Sequence, residues 1–267
     1  MDVGIVGVGT IGRKVATELD KGTVPGVKVT AFNSRDVAKA ETFAATLSFP
    51  PRVVSLEELP SLCDLVIETA GANTVSNIVK TALEADTSVM VLSCGALLDR
   101  EDLLEMARLH GVKIHVPSGA IIGMDGLLAA SMGRLDSVTM ITRKPPGGLK
   151  GSPGATRSGV DLDAITEATE LFDGPVMEGF SLFPANVNVS AAVSMAGIGP
   201  HKTRLKVIAD PAVTRNTHDI VAEGEFGLMR FQIENVPSKE NPRTGRLTAL
   251  SVLAYLKQLT SPLHLGV

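Results

Sequence analysis

A glycine-spaced turn near the start of the chain constrains its fold more than any other feature. Residues 3–6 form a short apolar run. Gly7, Gly9 and Gly12 follow it with the spacing G-x-G-x-x-G, just as a helical pattern begins. Strand, glycine turn and helix in this order form the dinucleotide-binding fingerprint, in which pyrophosphate approaches the turn and the helix N-terminus. We therefore predict a cofactor site here, against the alternative of an ordinary glycine-rich turn in an α/β protein. Its residues are Gly7, Gly9, Thr10, Ile11 and Gly12.

The composition indicates a globular protein and excludes several function classes. Of the 267 residues, 44% are hydrophobic and 20% are charged, which suffices for a large buried core. The formal net charge is -4 and there is no basic run, so the chain lacks the electrostatic footprint of a nucleic-acid-binding protein. No apolar stretch is long enough to span a bilayer. Cys63 and Cys94 are too few for a disulfide framework or a metal site, so we expect a cytoplasmic protein without a metal.

The first third of the chain alternates between strand-like and helix-like segments. Such alternation is typical of a parallel, doubly wound α/β sheet, here a Rossmann domain over residues 1–118. The strand-like runs cover residues 27–32, 62–68, 88–92 and 112–116. Ligands of these folds bind where the strands end. We therefore predict that Ala70, which follows the second of these runs, contacts the cofactor.

The residues after the run 27–32 bear on the choice of cofactor. An Asp or Glu at this point would hold the ribose hydroxyls of NAD and repel a 2′-phosphate. This chain has Asn33, Ser34 and Arg35 instead, and all three can donate hydrogen bonds to a phosphate. We therefore expect that NADP is accepted, with the alternative that Arg35 is a solvated loop residue.

The pattern changes to α+β in the second half. We expect a second, α+β domain over residues 119–239, while the segment 240–267 packs back on the first domain. The predicted elements are a surface loop at 150–159, a helix at 162–171, antiparallel strands between 203 and 233, and a final helix at 247–259.

Several longer sequence blocks resemble the L-aspartate dehydrogenase family over nearly the whole chain. These blocks are GIVGVGTIG (4–12), PSGAIIGMDGL (117–127), TRKPPGG (142–148), FPANVNVSAAVSMAGIGP (183–200), IADP (208–211), NTHDI (216–220) and NPRTGRLTALSV (241–252). The resemblance implies a Rossmann domain, an α+β catalytic domain and a homodimer. It also implies NAD(P)-dependent oxidation of L-aspartate to iminoaspartate, which can feed quinolinate and NAD biosynthesis.

The resemblance also implies roles for individual residues. His218 in NTHDI matches the family's catalytic histidine, and a general acid–base role suits a side chain that titrates near neutral pH. The alternative for His218 is a histidine that a backbone carbonyl satisfies. Asp125 and Asp219 are candidates to orient it, with a surface role as their alternative. Ala120 and Asn188 match positions that contact the nicotinamide part of the cofactor. For Asn188 and its neighbour Asn186 the alternative is helix capping.

Aspartate carries two carboxylates, which call for cationic or hydrogen-bonding partners. Our predicted substrate contacts are Ser118, Arg143, Lys144 and Asn186. The candidate cations are Arg143, Lys144, Lys202, Arg204 and Arg243, and the sequence does not distinguish among them. For Arg143 and Lys144 the alternative is a solvated strand end. Two alternatives to an aspartate dehydrogenase remain. One is a related enzyme such as a dihydrodipicolinate reductase, a homoserine dehydrogenase or a diaminopimelate dehydrogenase, and the other is a dinucleotide sensor without turnover.

Overall fold

The computed structural model describes residues 1–183, 187–236 and 245–266. It divides into two compact units. The first unit comprises Met1–Gly119 together with Thr248–Leu265, and Ala120–Leu247 forms the body of the second.

The first unit is built on a parallel sheet with apolar strands. Its elements are β1 (Asp2–Val6), α1 (Thr10–Asp20), β2 (Lys28–Asn33), α2 (Val37–Ala44), β3 (Arg52–Val53), β4 (Leu65–Glu68), α3 (Ala72–Glu84), β5 (Ser88–Val91), α4 (Glu101–His110) and β6 (Ile114–His115). The strand order is β3-β2-β1-β4-β5-β6, and the paired strands are parallel. All four residues of β4 are buried, as expected for a parallel sheet covered on both faces. The predicted doubly wound sheet is confirmed.

The C-terminal helix contributes to the core of this unit. It is α9 in chain order and runs from Arg246 to Thr260. Its side chains Val252 and Leu256 are fully buried and belong to the same apolar cluster as Ile5 of β1 and Val15 of α1. Burial of such side chains is worth roughly 1.5–3 kcal/mol each, so the helix stabilises the unit as a whole.

The second unit contains a mixed five-stranded sheet. Its elements are α5 (Met124–Ala130), β7 (Leu135–Lys144), α6 (Pro153–Ser158), β8 (Thr169–Pro175), α7 (Val176–Leu182), α8 (Val187–Ala196), β9 (Arg204–Ala209), β10 (Asn216–Gly224) and β11 (Gly227–Asn235). The order is β11-β10-β7-β9-β8. Of the predicted antiparallel strands, β10 and β11 pair antiparallel, but β9 lies parallel to β7.

One face of this sheet is buried and the other is more open. Along β7 the residues Val138, Met140, Thr142 and Lys144 are buried, and they alternate with half-buried or exposed ones. This period of two is the pattern of a sheet that packs on helices with one face only. The small residues of α8 lie almost completely buried, which lets this helix approach the sheet closely.

The surface loop predicted at 150–159 is wrong in part, because α6 lies within it. The hydroxyl of Ser152 accepts a hydrogen bond from the backbone N–H of Ala155, so Ser152 caps the helix. Pro153 occupies its first turn, where the missing N–H costs nothing, and Gly159 ends it in the left-handed conformation. The Gly/Pro/Ser composition thus supplies helix-terminating signals as well as loop residues.

The helix predicted at 162–171 is also wrong. Residues 161–168 form turns and irregular backbone, and β8 begins at Thr169. This strand pairs antiparallel with β9, with Asp173 opposite Lys206. An ion pair of 2.8 Å joins these two side chains across the strands. Pairing with a distant strand decides the conformation here, and the helical spacing of apolar residues does not reveal it.

Candidate active site

The turn between β1 and α1 leaves open space at one glycine and none at the other two. A Cβ on Gly12 would lie 2.2 Å from the backbone oxygen of Gly7, and a Cβ on Gly7 would lie 2.7 Å from the carbonyl of Thr69. Gly7 also has a φ of +98°, which disfavours any other residue. A Cβ on Gly9 meets no atom within 4 Å. Packing therefore requires Gly7 and Gly12, whereas the backbone of Gly9 faces open space, as predicted for a residue that a pyrophosphate approaches.

The start of α1 has the donors that such a group needs. Gly9 is its N-cap and no side chain caps the helix. The N–H groups of the first turn, which includes Thr10 and Ile11, therefore point out of the helix without a capping acceptor. Together with the helix dipole they favour an anion, which agrees with the predicted cofactor contacts at these two residues.

Glu68 organises the edge of the sheet beside this turn, a role that the sequence does not reveal. The side chain is completely buried at the end of β4. One carboxylate oxygen accepts hydrogen bonds from the N–H groups of Ala70 and Gly71 and from the Ser93 hydroxyl. The other accepts from the N–H groups of Leu92 and Ser93. A buried carboxylate needs such compensation, and Glu68 thereby fixes the two loops that follow β4 and β5. The predicted contact Ala70 is exposed in the first of them.

The segment that we predict to select the cofactor, residues 33–35, lies at the end of β2, next to the glycine turn. The backbone oxygen of Asn33 accepts a 2.8 Å hydrogen bond from the N–H of Gly7. The side-chain amide of Asn33 donates to the Val54 carbonyl at 2.9 Å, which uses one of its two N–H groups. Ser34 is half-buried and Arg35 is exposed. Neither side chain is engaged in an ion pair or hydrogen bond with the described part of the chain, so both are available to a ligand.

The second unit brings His218 and Thr142 into contact on the buried face of its sheet. The two residues lie directly opposite each other in the antiparallel pairing of β10 with β7. The Thr142 hydroxyl and Nδ1 of His218 are 3.1 Å apart, and both side chains are buried. Lys144 lies two residues further along β7, on the same face, and is only 6% exposed.

Burial changes the protonation of this cluster. Desolvation, assisted by the positive charge of Lys144, lowers the pKa of His218 to about 4. His218 is therefore neutral at neutral pH. Desolvation also lowers the pKa of Lys144 to about 8, so this amine gains and loses its proton close to the physiological range. Within the described ranges Lys144 forms no ion pair.

The structure separates Arg143 from Lys144. Successive residues of a strand point to opposite faces, so Arg143 lies on the open face of the sheet. There its guanidinium forms a 2.9 Å ion pair with Asp210. Among the other candidate cations, Arg204 pairs with Asp173 and Lys202 is exposed. Arg243 lies outside the described residues. Lys144 is therefore the candidate cation that accompanies His218.

The remaining predicted site residues are spread over both units. Ala120 is half-buried, and its carbonyl accepts a 2.9 Å hydrogen bond from the side chain of Asn235, a buried residue that our sequence reasoning missed. Asn188 is exposed in the first turn of α8. Ser118 is half-buried, next to Gly119, whose N–H donates to the hydroxyl of Ser251. Asn186 lies outside the described residues.

The two acidic candidates for orienting His218 do not contact it. Asp219 is its neighbour on β10 and so points to the opposite face, where it accepts a 2.6 Å hydrogen bond from Gln232. Asp125 is exposed on α5. In residues 1–183, 187–236 and 245–266 there is no group of three metal-ligating side chains, and no helix has the length and apolar composition to cross a membrane.

The contrast between Gly9 and Gly12 gives a direct test of the nucleotide site. We expect Gly9→Ala to leave thermal stability nearly unchanged but to weaken NAD(P) binding at least tenfold, because its Cβ enters the open space beside the turn. Gly12→Ala should instead lower the unfolding temperature, because its Cβ would overlap the Gly7 oxygen. Calorimetric titration and thermal unfolding measure the two effects. Wild-type cofactor affinity in Gly9→Ala would contradict the assignment.

Comparisons with known proteins match both units. Residues 7–117 match the family described as "Homoserine dehydrogenase, NAD binding domain", and residues 125–259 match the family described as "Aspartate dehydrogenase, C-terminal". An L-aspartate dehydrogenase of Methanocella arvoryzae is 46% identical over 99% of this chain and 98% of its own length. One of Methanosarcina acetivorans is 44% identical over 100% and 99%.

Solved structures agree with the sequence comparison. The crystal structure of aspartate dehydrogenase from Thermotoga maritima superposes with a TM-score of 0.76 at 28% identity, and it covers 100% of this chain and 99% of that one. The match therefore extends over both sheets, and the resemblance seen in the sequence blocks is confirmed. The chain belongs to the L-aspartate dehydrogenase family.

Proposed function

We propose that this protein oxidises L-aspartate to iminoaspartate with NAD or NADP. The observation that carries the proposal is the buried pair of His218 and Lys144 on one sheet face, in a chain that belongs to the L-aspartate dehydrogenase family. The two residues provide an imidazole and an amine for proton transfer. We also propose a metabolic role for the product: iminoaspartate feeds quinolinate and NAD biosynthesis.

The residues of the first unit fit a dinucleotide. The space beside Gly9 and the uncapped start of α1 suit a pyrophosphate, and Asn33, Ser34 and Arg35 suit the adenosine ribose. Ala70, Ala120 and Asn188 also stay proposed cofactor contacts, the last two on the resemblance. When bound, the cofactor supplies the hydride acceptor, C4 of the nicotinamide ring.

The second unit supplies charge and proton chemistry. Hydride leaves Cα of aspartate only when the α-amine is neutral, so a protein group has to take up an ammonium proton. His218 is the proposed acid–base residue, and Lys144 offers a positive charge or a free amine, depending on pH. Ser118, Arg143 and Asn186 stay proposed substrate contacts, although Arg143 would have to exchange its partner Asp210 for a substrate carboxylate.

The first experiment is an initial-rate measurement of nicotinamide reduction with L-aspartate. We expect wild-type turnover with at least one of NAD and NADP, and a fall of kcat by about 10²–10⁴-fold in His218→Ala, because loss of a group that transfers a proton or donates a hydrogen bond to the reacting substrate costs about that factor. Cofactor affinity should persist in the variant. The control is His264→Ala, which alters an exposed histidine of the C-terminal segment.

Two outcomes would contradict the proposal in different ways. Absence of turnover in both directions, with aspartate or with oxaloacetate and ammonia, would remove aspartate as substrate. Turnover of dihydrodipicolinate instead would favour the reductase alternative. Binding of NADPH that responds to aspartate without any turnover would favour the sensor.

We also propose that NADP is accepted, because Arg35 is exposed and no acidic residue ends β2. In Arg35→Ala we expect KM for NADP to rise about tenfold, since a charge-assisted contact to the 2′-phosphate is lost, while KM for NAD stays nearly constant. Arg108→Ala removes an exposed arginine on α4 and serves as control. Unchanged KM values for both cofactors in Arg35→Ala would show that this side chain does not select the cofactor.

We further propose a homodimer that forms through the open face of the second unit's sheet. Half-buried aliphatic residues, Ile141, Ile208 and Val221, lie on this face among charged ones. Light scattering should give twice the 27.9 kDa of one chain. Ile141→Lys should lower the mass to that of one chain, because a charge enters the contact, whereas Leu109→Lys on α4 should not. A dimeric mass in Ile141→Lys would remove this face as the interface.

For the location we propose the cytoplasm, because Cys63 and Cys94, the two cysteines of the sequence, do not form a disulfide with each other. Cell fractionation with immunodetection tests this.

A further inference from the structure

The contact between Thr142 and His218 determines more than the position of the ring. A neutral histidine carries its proton on one of two nitrogens, and the partner of the other nitrogen selects which. At 3.1 Å the Thr142 hydroxyl and Nδ1 share one hydrogen, which either the hydroxyl or the imidazole contributes. The two arrangements leave Nε2 with opposite properties, a proton in the first and a lone pair in the second.

The hydroxyl proton of Thr142 needs an acceptor, and this requirement distinguishes the two arrangements. Thr142 is fully buried, and Nδ1 of His218 is its only hydrogen-bond partner among the described residues. If Nδ1 donated, the buried hydroxyl proton would lack an acceptor, and an unsatisfied buried donor is costly. If the hydroxyl donates, its proton and the Nδ1 lone pair are both satisfied.

The other nitrogen remains accessible. Nε2 has no hydrogen-bond partner among the described residues. Only one side-chain nitrogen or oxygen atom there lacks both a partner and contact with solvent, and it is Oγ1 of Thr203. Nε2 therefore still reaches solvent-accessible space, although His218 is only 4% exposed. The same reasoning applies to Nζ of Lys144.

We propose that Thr142 donates its hydroxyl proton to Nδ1 and holds His218 as the Nε2–H tautomer, so that His218 presents a hydrogen-bond donor to the substrate and Lys144 accepts the substrate's proton. This inference rests on the proposed function and changes one role within it: Lys144 accepts the proton, and His218, to which the resemblance gives the acid–base role, donates a hydrogen bond instead. Thr142 is a positioning residue, because it acts through His218. The Nε2–H group suits a carboxylate of aspartate, for which a neutral donor without a lone pair is the better partner.

The proton and the hydride then leave by separate routes. An N–H bond of the α-ammonium breaks, and its proton forms an N–H bond with the free amine of Lys144. The Cα–H bond breaks with its electron pair, which an oxidised nicotinamide, when bound, would accept as hydride. The amine lone pair forms the C=N bond of protonated iminoaspartate. The two electrons that the substrate loses would thus be taken up in full by that cofactor.

The decisive experiment is nitrogen-15 NMR of the protein with labelled histidine at neutral pH, with His218→Gln to assign the resonance. Two-bond correlations to the ring protons distinguish the tautomers. We expect the Nε2–H pattern for His218, and the Nδ1–H pattern would overturn the proposal. This measurement needs no turnover, so it separates a wrong tautomer from a wrong substrate.

Matched variants test the consequence for catalysis. Thr142→Val keeps the shape of the side chain without its hydroxyl, and we expect a mixed tautomer pattern and a kcat at least tenfold lower, with little change in the KM of the cofactor. Thr142→Ser keeps the hydroxyl and should restore both readouts, which a merely structural role would not require. Wild-type spectrum and kcat in Thr142→Val would overturn the role of Thr142.

Lys144→Arg tests the proton acceptor. Arginine keeps the positive charge but does not release its proton, so we expect kcat to fall at least a hundredfold while KM for aspartate changes little. Small primary amines added to Lys144→Ala should restore part of the activity. Near-wild-type kcat in Lys144→Arg would assign Lys144 to carboxylate binding alone and overturn its role as the base.

Discussion

The chemistry of the second unit depends on the burial of two ionisable side chains without an acidic partner among the described residues. Removal from water penalises the charged forms of His218 and Lys144, and each positive charge would also repel the other. A carboxylate beside either group would cancel this effect and keep it protonated. The buried sheet face thus supplies a neutral imidazole and an amine that titrates near neutral pH, which are the properties an amino-acid dehydrogenase needs.

At the edge of the first sheet, in contrast, a buried ionisable side chain is fully hydrogen-bonded. Glu68 accepts hydrogen bonds from four backbone N–H groups and one hydroxyl, so its carboxylate is compensated without any cation. These bonds hold two loops at the carboxyl ends of β4 and β5, where ligands of such sheets bind. Full compensation makes this edge rigid, whereas the incomplete compensation around Lys144 leaves a group free to react.

How much of the structure the sequence predicts depends on how far apart along the chain the interacting residues lie. The glycine turn, five of the six strands of the first sheet and the final helix have local signals within a dozen residues, so they are predicted to within a few residues, whereas the two-residue edge strand β3 is not predicted. The bridging role of Glu68, the strand at 169–175 and the ion pair of Arg143 depend on partners far away in the chain. The sequence blocks indicate His218 by resemblance, but they contain no sign that Thr142 is its partner or that Lys144 is buried.

The contact between Thr142 and His218 spans 76 residues of chain and exists because of strand register. Side chains alternate between faces along a strand, so a slip of one residue between β7 and β10 would bring Asp219 to the buried face in place of His218. The pairing of β10 with β7 is continuous from Thr217 to Glu223, and the apolar residues Ile220 and Ala222 are buried on the same face as His218. Exposure of those side chains would accompany any slip. The packing of the sheet therefore maintains the register, and the register determines which hydroxyl the imidazole meets.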